Sequence, residues 1–306
     1  MRISTAQMQG NAVNSMLERQ SELSKTQQQL ATGKRILSPS DDILGSTQVL
    51  AFNKVIDTHK QFQKNADTAE YRLQQEEASV TQTIDMLQRA HELAVQGNNP
   101  TLTANSRAQI AVEVRQILQE VVSVANTKDS EGNFIFAGSN VDTAPVTATE
   151  VPAGSGLFTY SYTGDLGQRT LQIGDSRFIA TDDNGQDVFM NVPVSGGGTQ
   201  NVFETVEQLA LALESNTPPT NVPDDLRLAM EHLSGFRTQT GARLNAIDGH
   251  RALNDEIVLQ GQKALSSVQD LDYAEAVSRL NLQLTGLQAS QASFAKIQNL
   301  SLFNFL

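Results

Sequence analysis

The stretch "DLDYAEAVSRLNLQLTGLQASQASFAKIQNLSLFNFL" occupies residues 270–306. Its opening reads as a helix start, because Asp272 with Glu275 three residues later fits a capping box. Val277, Leu280, Leu284, Leu287 and Phe294 then recur at helical spacings and mark one face. The stretch closes on Leu300, Leu302, Phe303, Phe305 and Leu306, with no charge among the last eight residues. Chain ends fray into water unless something ties them down. Full burial of such side chains represents on the order of 10 kcal/mol as an upper bound. The segment therefore asks for a burial partner, either elsewhere in the chain or in another molecule.

The other end of the chain offers half an answer. Ser4 with Gln7 fits a second capping box, so a helix is expected from about residue 5. Val13, Leu17, Leu23 and Leu30 follow at heptad-like intervals, with Gln20 and Gln27 at intervening seam positions. Gly33 suits a left-handed helix end. Two terminal helices with thin, glutamine-diluted stripes bury each other only in part. The expectation is an antiparallel pair of N- and C-terminal helices that keeps apolar surface for neighbouring subunits. The residues that would carry this assembly interface are Leu17, Leu23, Leu30, Leu280, Leu284, Leu287, Phe294, Leu300, Leu302, Phe303, Phe305 and Leu306.

Working inward, "KRILSPSDD" (34–42) breaks the first helix, and Pro39 is placed where a new one can begin, with Asp41 and Asp42 at the positive end of its dipole. Val49, Phe52, Ile56, Ala69, Leu73, Val80, Ile84, Leu87 and Leu93 carry that helix to "QGNNP" (96–100). A third runs from about Thr103 to Asn126. Residues 134–201 then turn rich in Val, Thr, Tyr, Phe and Gly, with alternation in "FTYSYTG" (158–164). Asn184-Gly185 reads as a hairpin turn and "SGGGTQN" (195–201) as a flexible exit linker. Helices are expected again over 202–214 and from Asp224 or Asp225 onward. The fold class expected is mainly α with a β-rich insert, an elongated antiparallel helical rod or coiled coil with a small outer β domain. The expected organisation is an assembly domain of residues 1–40 and 270–306, a helical rod of 41–133 and 202–269, and an outer insert of 134–201 removable as a unit.

Composition narrows the function. The 306 residues carry 34 acidic and 22 basic side chains, a formal charge of −12. Nucleic acid and anionic membrane, which attract concentrated basic surface, are not expected partners. No apolar run approaches a membrane span of about 20 residues. "MRISTAQM" has no apolar core or cleavage site of a secretory signal, which by itself points to the cytosol. With no Cys, thiolate catalysis and Cys-zinc sites drop out. His59, His91, His232 and His250 lack ligand spacing and read as solvated helix positions. Glu76-Glu77, Asp182-Asp183 and Asp224-Asp225 read in turn as helix surface, turn tip and helix cap. "DDNGQD" (182–187) lacks the closing Glu of a calcium loop, and no phosphate loop or nucleophile elbow occurs. Neither enzyme activity nor a cofactor or metal is expected.

Several of these stretches together resemble the flagellin family: "MRISTAQM", "LATGKRILSPSDD" (30–42), "LQRAHELAVQGNN" (87–99), "NFIFAGS" (133–139) and the whole of 270–306. The resemblance covers both ends and the helical middle but not the β-rich segment, and its start and finish fit a subunit of the hook–filament junction. It implies a structural protein stacked through its terminal helices outside the bacterial cell, exported unfolded through the flagellar type III apparatus without a cleaved signal. Export of this kind replaces the cytosolic expectation. Partners implied are other copies of the chain, the preceding hook-associated junction protein, flagellin and, before secretion, an export chaperone. The alternatives are a filament subunit, or a surface adhesin binding through the aromatic strand at Tyr160 and Tyr162.

Overall fold

The computed structural model describes residues 5–152, 154 and 156–303. Its fold is mainly helical with small antiparallel β pairs, as the sequence pattern predicts. The chain divides into two compact units, Met1–Thr58 with Glu256–Leu306, and His59–Asp255. Below these are the terminal unit and the central unit.

In the terminal unit, α1 (Thr5–Thr32) packs against α6 (Tyr273–Phe303). The pairing is antiparallel: Gly286 lies against Arg19 toward one end, and Gly33 against Tyr273 at the other. Gly33 has φ +69°, the left-handed conformation expected of it. This reversal lets its carbonyl accept from the Leu271 N–H at 3.0 Å, while the Arg35 N–H donates to Gln269 O at 2.7 Å. The end of α1 is thereby tied to the turn that precedes α6. At the start of α6, Asp272 Oδ1 accepts from the N–H groups of Ala274 and Glu275 at 2.9 and 3.2 Å, as its sequence context predicts.

The α1–α2 turn departs from expectation in one respect. Helix α2 (Ile43–Gly97) begins after Pro39, not at it. Asp42 accepts from the Gly45 N–H at 2.8 Å and so caps α2, whereas Asp41 closes the turn before it by accepting from the Leu37 and Ser38 N–H groups. The two carboxylates capture free amides and shift the helix start past the proline. Helices α2 and α5 (Val222–Gln269) contribute residues to both units. In the terminal unit Gly261 admits Ile56, whose Cγ1 would stand 2.9 Å from an added Cβ.

The central unit adds α3 (Ala104–Ala125), capped by Thr103, and α4 (Val202–Glu214), capped by Asn201, whose side chain accepts from the Glu204 N–H at 2.6 Å. Among the described residues its strands form three separate antiparallel pairs. β1 (Val146–Glu150) pairs with β2 (Phe158–Tyr162), β3 (Thr170–Gln172) with β4 (Phe178–Ala180), and β5 (Val192–Pro193) with β6 (Thr199–Gln200). Two turn assignments are corrected here. Asn184-Gly185 is no hairpin turn: Asn184 Oδ1 accepts from the Asp187 N–H and starts one π-helical turn over Gln186–Met190. "SGGGTQN" is no loose linker: Gly197 and Gly198, at φ +85° and +91°, turn the β5–β6 hairpin.

The β-rich segment shares its core with the helices around it. Phe136 and Phe189 are fully buried with Phe203 of α4, ring centroids 4.9 and 5.9 Å apart in sequence, and Tyr160 stacks on Phe203 at 5.3 Å. These rings join Leu87, Val114, Leu209 and Leu226 in one core. Helices alone supply few aromatics, so Phe136 in a turn, Phe189 in the π-helical turn and Tyr160 in β2 add the bulk that fills the space between them. A second small core gathers Ala66, Ala69 and Leu73 of α2 with Ile173, Ile179 and Ile247.

Candidate assembly surface

Helix geometry sorts the expected interface residues into two groups. At about 100° per residue, Leu30 lies nearly in line with Leu23, whereas Leu17 is rotated from it by about 120°. Leu23 is buried and Leu30 half-buried, but Leu17 is 59% exposed, and Val13 is exposed with it. The residues between Leu23 and Leu30 on the inner face are Thr26 and Gln29, both buried, while Gln20 and Gln27 face solvent. Gln29 Nε2 donates to Arg35 O at 2.6 Å and Thr26 Oγ1 donates to Glu22 O at 3.1 Å, so the polar seam is satisfied within the chain. On α6, Leu280, Leu287 and Phe294 are half-buried and Leu284 is exposed. The backbone of α6 runs on to Phe303, but the side chains of Leu300, Leu302 and Phe303 lie outside the described part, as do Phe305 and Leu306 altogether.

The most exposed apolar residues are ones the stripe pattern missed. Ile43 is 75% exposed, Leu50 69% and Leu282 76%, with Leu44 comparable. All four belong to the terminal unit. Against them the unit's described large buried hydrophobics are Leu23, Ile36, Ile56 and Leu271. The signal lay in position: Leu282 is two residues from Leu280 and falls on the opposite side of α6. Ile43-Leu44 likewise stand outside the Val49–Phe52–Ile56 face. Apolar residues out of phase with the buried stripe stay exposed.

The central unit holds polar side chains where the sequence suggested solvent. His59 is buried, its Nδ1 2.8 Å from Asn254 Oδ1. Asn254 Nδ2 in turn donates to Ile173 O, so this histidine ties α2 to α5 and not to water. Glu76 is fully buried, as are Asp182 and Asp183. Arg243 grips Asp183 through two contacts of 2.8 and 3.0 Å, and Arg169 pairs with Asp182. Burial pushes the Glu76 carboxyl well up from its ordinary value, and the charge of Asp183 adds to the rise. Among the described residues no group of three His, Asp or Glu side chains is arranged to hold a metal. The described helices include none long and apolar enough to cross a membrane.

The tyrosines that favoured an adhesin are committed to the fold. Tyr160 is buried on Phe203, and the Tyr162 hydroxyl sits 2.8 Å from Asp165 O and 3.0 Å from Phe136 O. Burial lifts the Tyr162 phenol to about 12. An open apolar recess of about 220 Å³ lies between α3 and the β1–β2 hairpin, and the Arg115 on its rim is engaged by Glu207 and Glu214.

Known proteins share this architecture. Residues 3–141 match the bacterial flagellin N-terminal helical region. The chain is 25% identical to flagellar hook-associated protein 3 of Escherichia coli over 322 aligned positions, covering 99% of each. A flagellin of Clostridium tyrobutyricum is 31% identical, but over 44% of this chain and 36% of its own. In fold, the chain matches the crystal structure of the flagellar junction protein FlgL from Legionella pneumophila with TM-score 0.62 at 18% identity, over 73% of this chain and all of that one. The chain thus carries a match to the flagellin N-terminal helical region over residues 3–141, and its similarity to hook-associated protein 3 runs along its whole length.

Proposed function

We propose that this chain is a structural subunit of the bacterial flagellum, placed at the hook–filament junction and assembled through its terminal unit. The observation that carries the assembly reading is that Ile43, Leu44, Leu50 and Leu282 are each exposed in the terminal unit. Apolar residues scattered singly over a surface are ordinary, but a unit that exposes more large apolar side chains than it buries is built for partners. Leu282 and Leu280 lie on opposite sides of α6, so covering that helix takes neighbours on more than one side. A repeating assembly of identical subunits supplies them. In this reading Leu23, Leu30, Leu280, Leu287 and Phe294 hold α1 to α6, and Leu17 and Leu284 face the next subunit. The tail residues Leu300, Leu302, Phe303, Phe305 and Leu306 join that contact.

Similarity to a hook-associated protein over 99% of both chains favours the junction over the filament. The partners would be further copies of the chain, the preceding hook-associated junction protein on the hook side and flagellin beyond, with an export chaperone before secretion. The working location would be outside the cell. The test is a deletion strain. Loss of attached filaments with flagellin released into the medium, restored by the intact gene, supports the junction role. Filaments of normal length on the deletion strain would rule it out.

A further inference from the structure

Glu76 sits in the middle of α2 with no exposure, and neither of its carboxyl oxygens has a hydrogen-bond partner. The group facing it is Asp183, from the segment after β4, with Asp182 beside that. Two ionised carboxylates cannot bond to each other, since neither carries a hydrogen to donate. The cations around them are already engaged. Arg243 of α5 holds both oxygens of Asp183, to which Gln168 also donates at 2.9 Å. Arg169 is spent on Asp182, and Arg72, one turn before Glu76, lies near Asp182 but also 3.7 Å from Glu131. A third buried negative charge here would have no free cation and no donor, a costly arrangement at low dielectric.

We propose that Glu76 is held as the neutral carboxylic acid and donates its proton to Asp183, so that folding of the central unit takes up a proton from water. The proton turns one of the two orphaned oxygens into a donor, removes the third negative charge and leaves the Arg243–Asp183 pair intact. It also gives the fold a pH response. In the unfolded chain Glu76 is an ordinary carboxyl, ionised above about pH 4.3. Its folded-state value is raised, so its contribution to stability is complete below that ordinary value and is lost as pH climbs toward the raised one. The central unit would loosen with alkalinity, at the junction of α2, α5 and the β3–β4 pair.

The test is urea unfolding of the full chain from about pH 5 to pH 9, beside Glu76→Gln, a close mimic of the neutral acid. Wherever Glu76 is protonated folded and ionised unfolded, the folding constant of the native chain should fall about tenfold per pH unit more steeply than that of the variant. The two should match near pH 5, and the variant should be the more stable at pH 8. Equal slopes would overturn the proposal. If the variant fails to fold, infrared spectroscopy of the native protein decides. A buried neutral-carboxyl band at pH 7 that disappears on unfolding supports it, and absence of the band refutes it.

Discussion

Gly33 shows how much one residue settles. Its positive φ ends α1 and turns its carbonyl to Leu271, and an added Cβ would stand 2.8 Å from the Tyr273 hydroxyl. Gly33→Ala should cost about 1 kcal/mol from the left-handed backbone alone, seen as faster hydrogen exchange at the Leu271 and Arg35 amides. Asp41 nearby is pushed down to about 2, chiefly by Lys25 at 2.7 Å and then by the Ser38 N–H. Its folded value lies below its unfolded one, so the turn's stabilisation is complete above the ordinary carboxyl range and is lost as pH falls from there to about 2. Protection of the Ser38 amide should hold from pH 7 to pH 4 in the native chain and be lost in Asp41→Ala, which has no oxygen to accept from it. Asp272 was legible in the sequence because its partners are within a few residues, and Gly33 because a left-handed helix end is a local demand. Glu76 was not, since the groups that bury and neutralise it stand about 100 residues and more away along the chain.

At the scale of the element, phase matters more than composition. Leu17 and Leu23 look equivalent on a heptad count, but six residues turn the helix well off a common face, and the structure buries one and exposes the other. Leu23→Ala should therefore weaken the α1–α6 pairing by about 2 kcal/mol, the low end for a buried leucine because the seam beside it is polar. Leu17→Ala should leave monomer stability within about 0.5 kcal/mol. Chemical denaturation followed by helix circular dichroism separates the two. Helix extents were readable from periodicity and punctuation, as α2 and α4 show. The strands were harder, because Asn-Gly chemistry that favours a hairpin also starts a helical turn. Asn184 met Asp187 three residues on and made the second choice. The role of the strands was hidden altogether, since nothing in "FTYSYTG" announces that Tyr160 will stack on Phe203.

For the whole molecule the contrast is between a central unit with its own aromatic core and a terminal unit with little core and much exposed apolar surface. Stability and assembly should then be separable by mutation. In the central unit, Phe203→Ala removes a fully buried ring and should cost about 3–5 kcal/mol, unfolding the monomer before any question of assembly arises. In the terminal unit the same logic inverts, because side chains already in water contribute nothing to the monomer when removed, while a contact repeated around an assembly multiplies its loss. The double variant Leu17→Ser with Leu282→Ser puts this to the most direct test, by melting the purified monomer and scoring filament attachment in cells that make it. The account predicts a melting temperature within about 3 °C of the native chain, from the small effect of exposed substitutions, together with loss of attached filaments. A monomer that melts far lower, or filaments that attach as before, would contradict it.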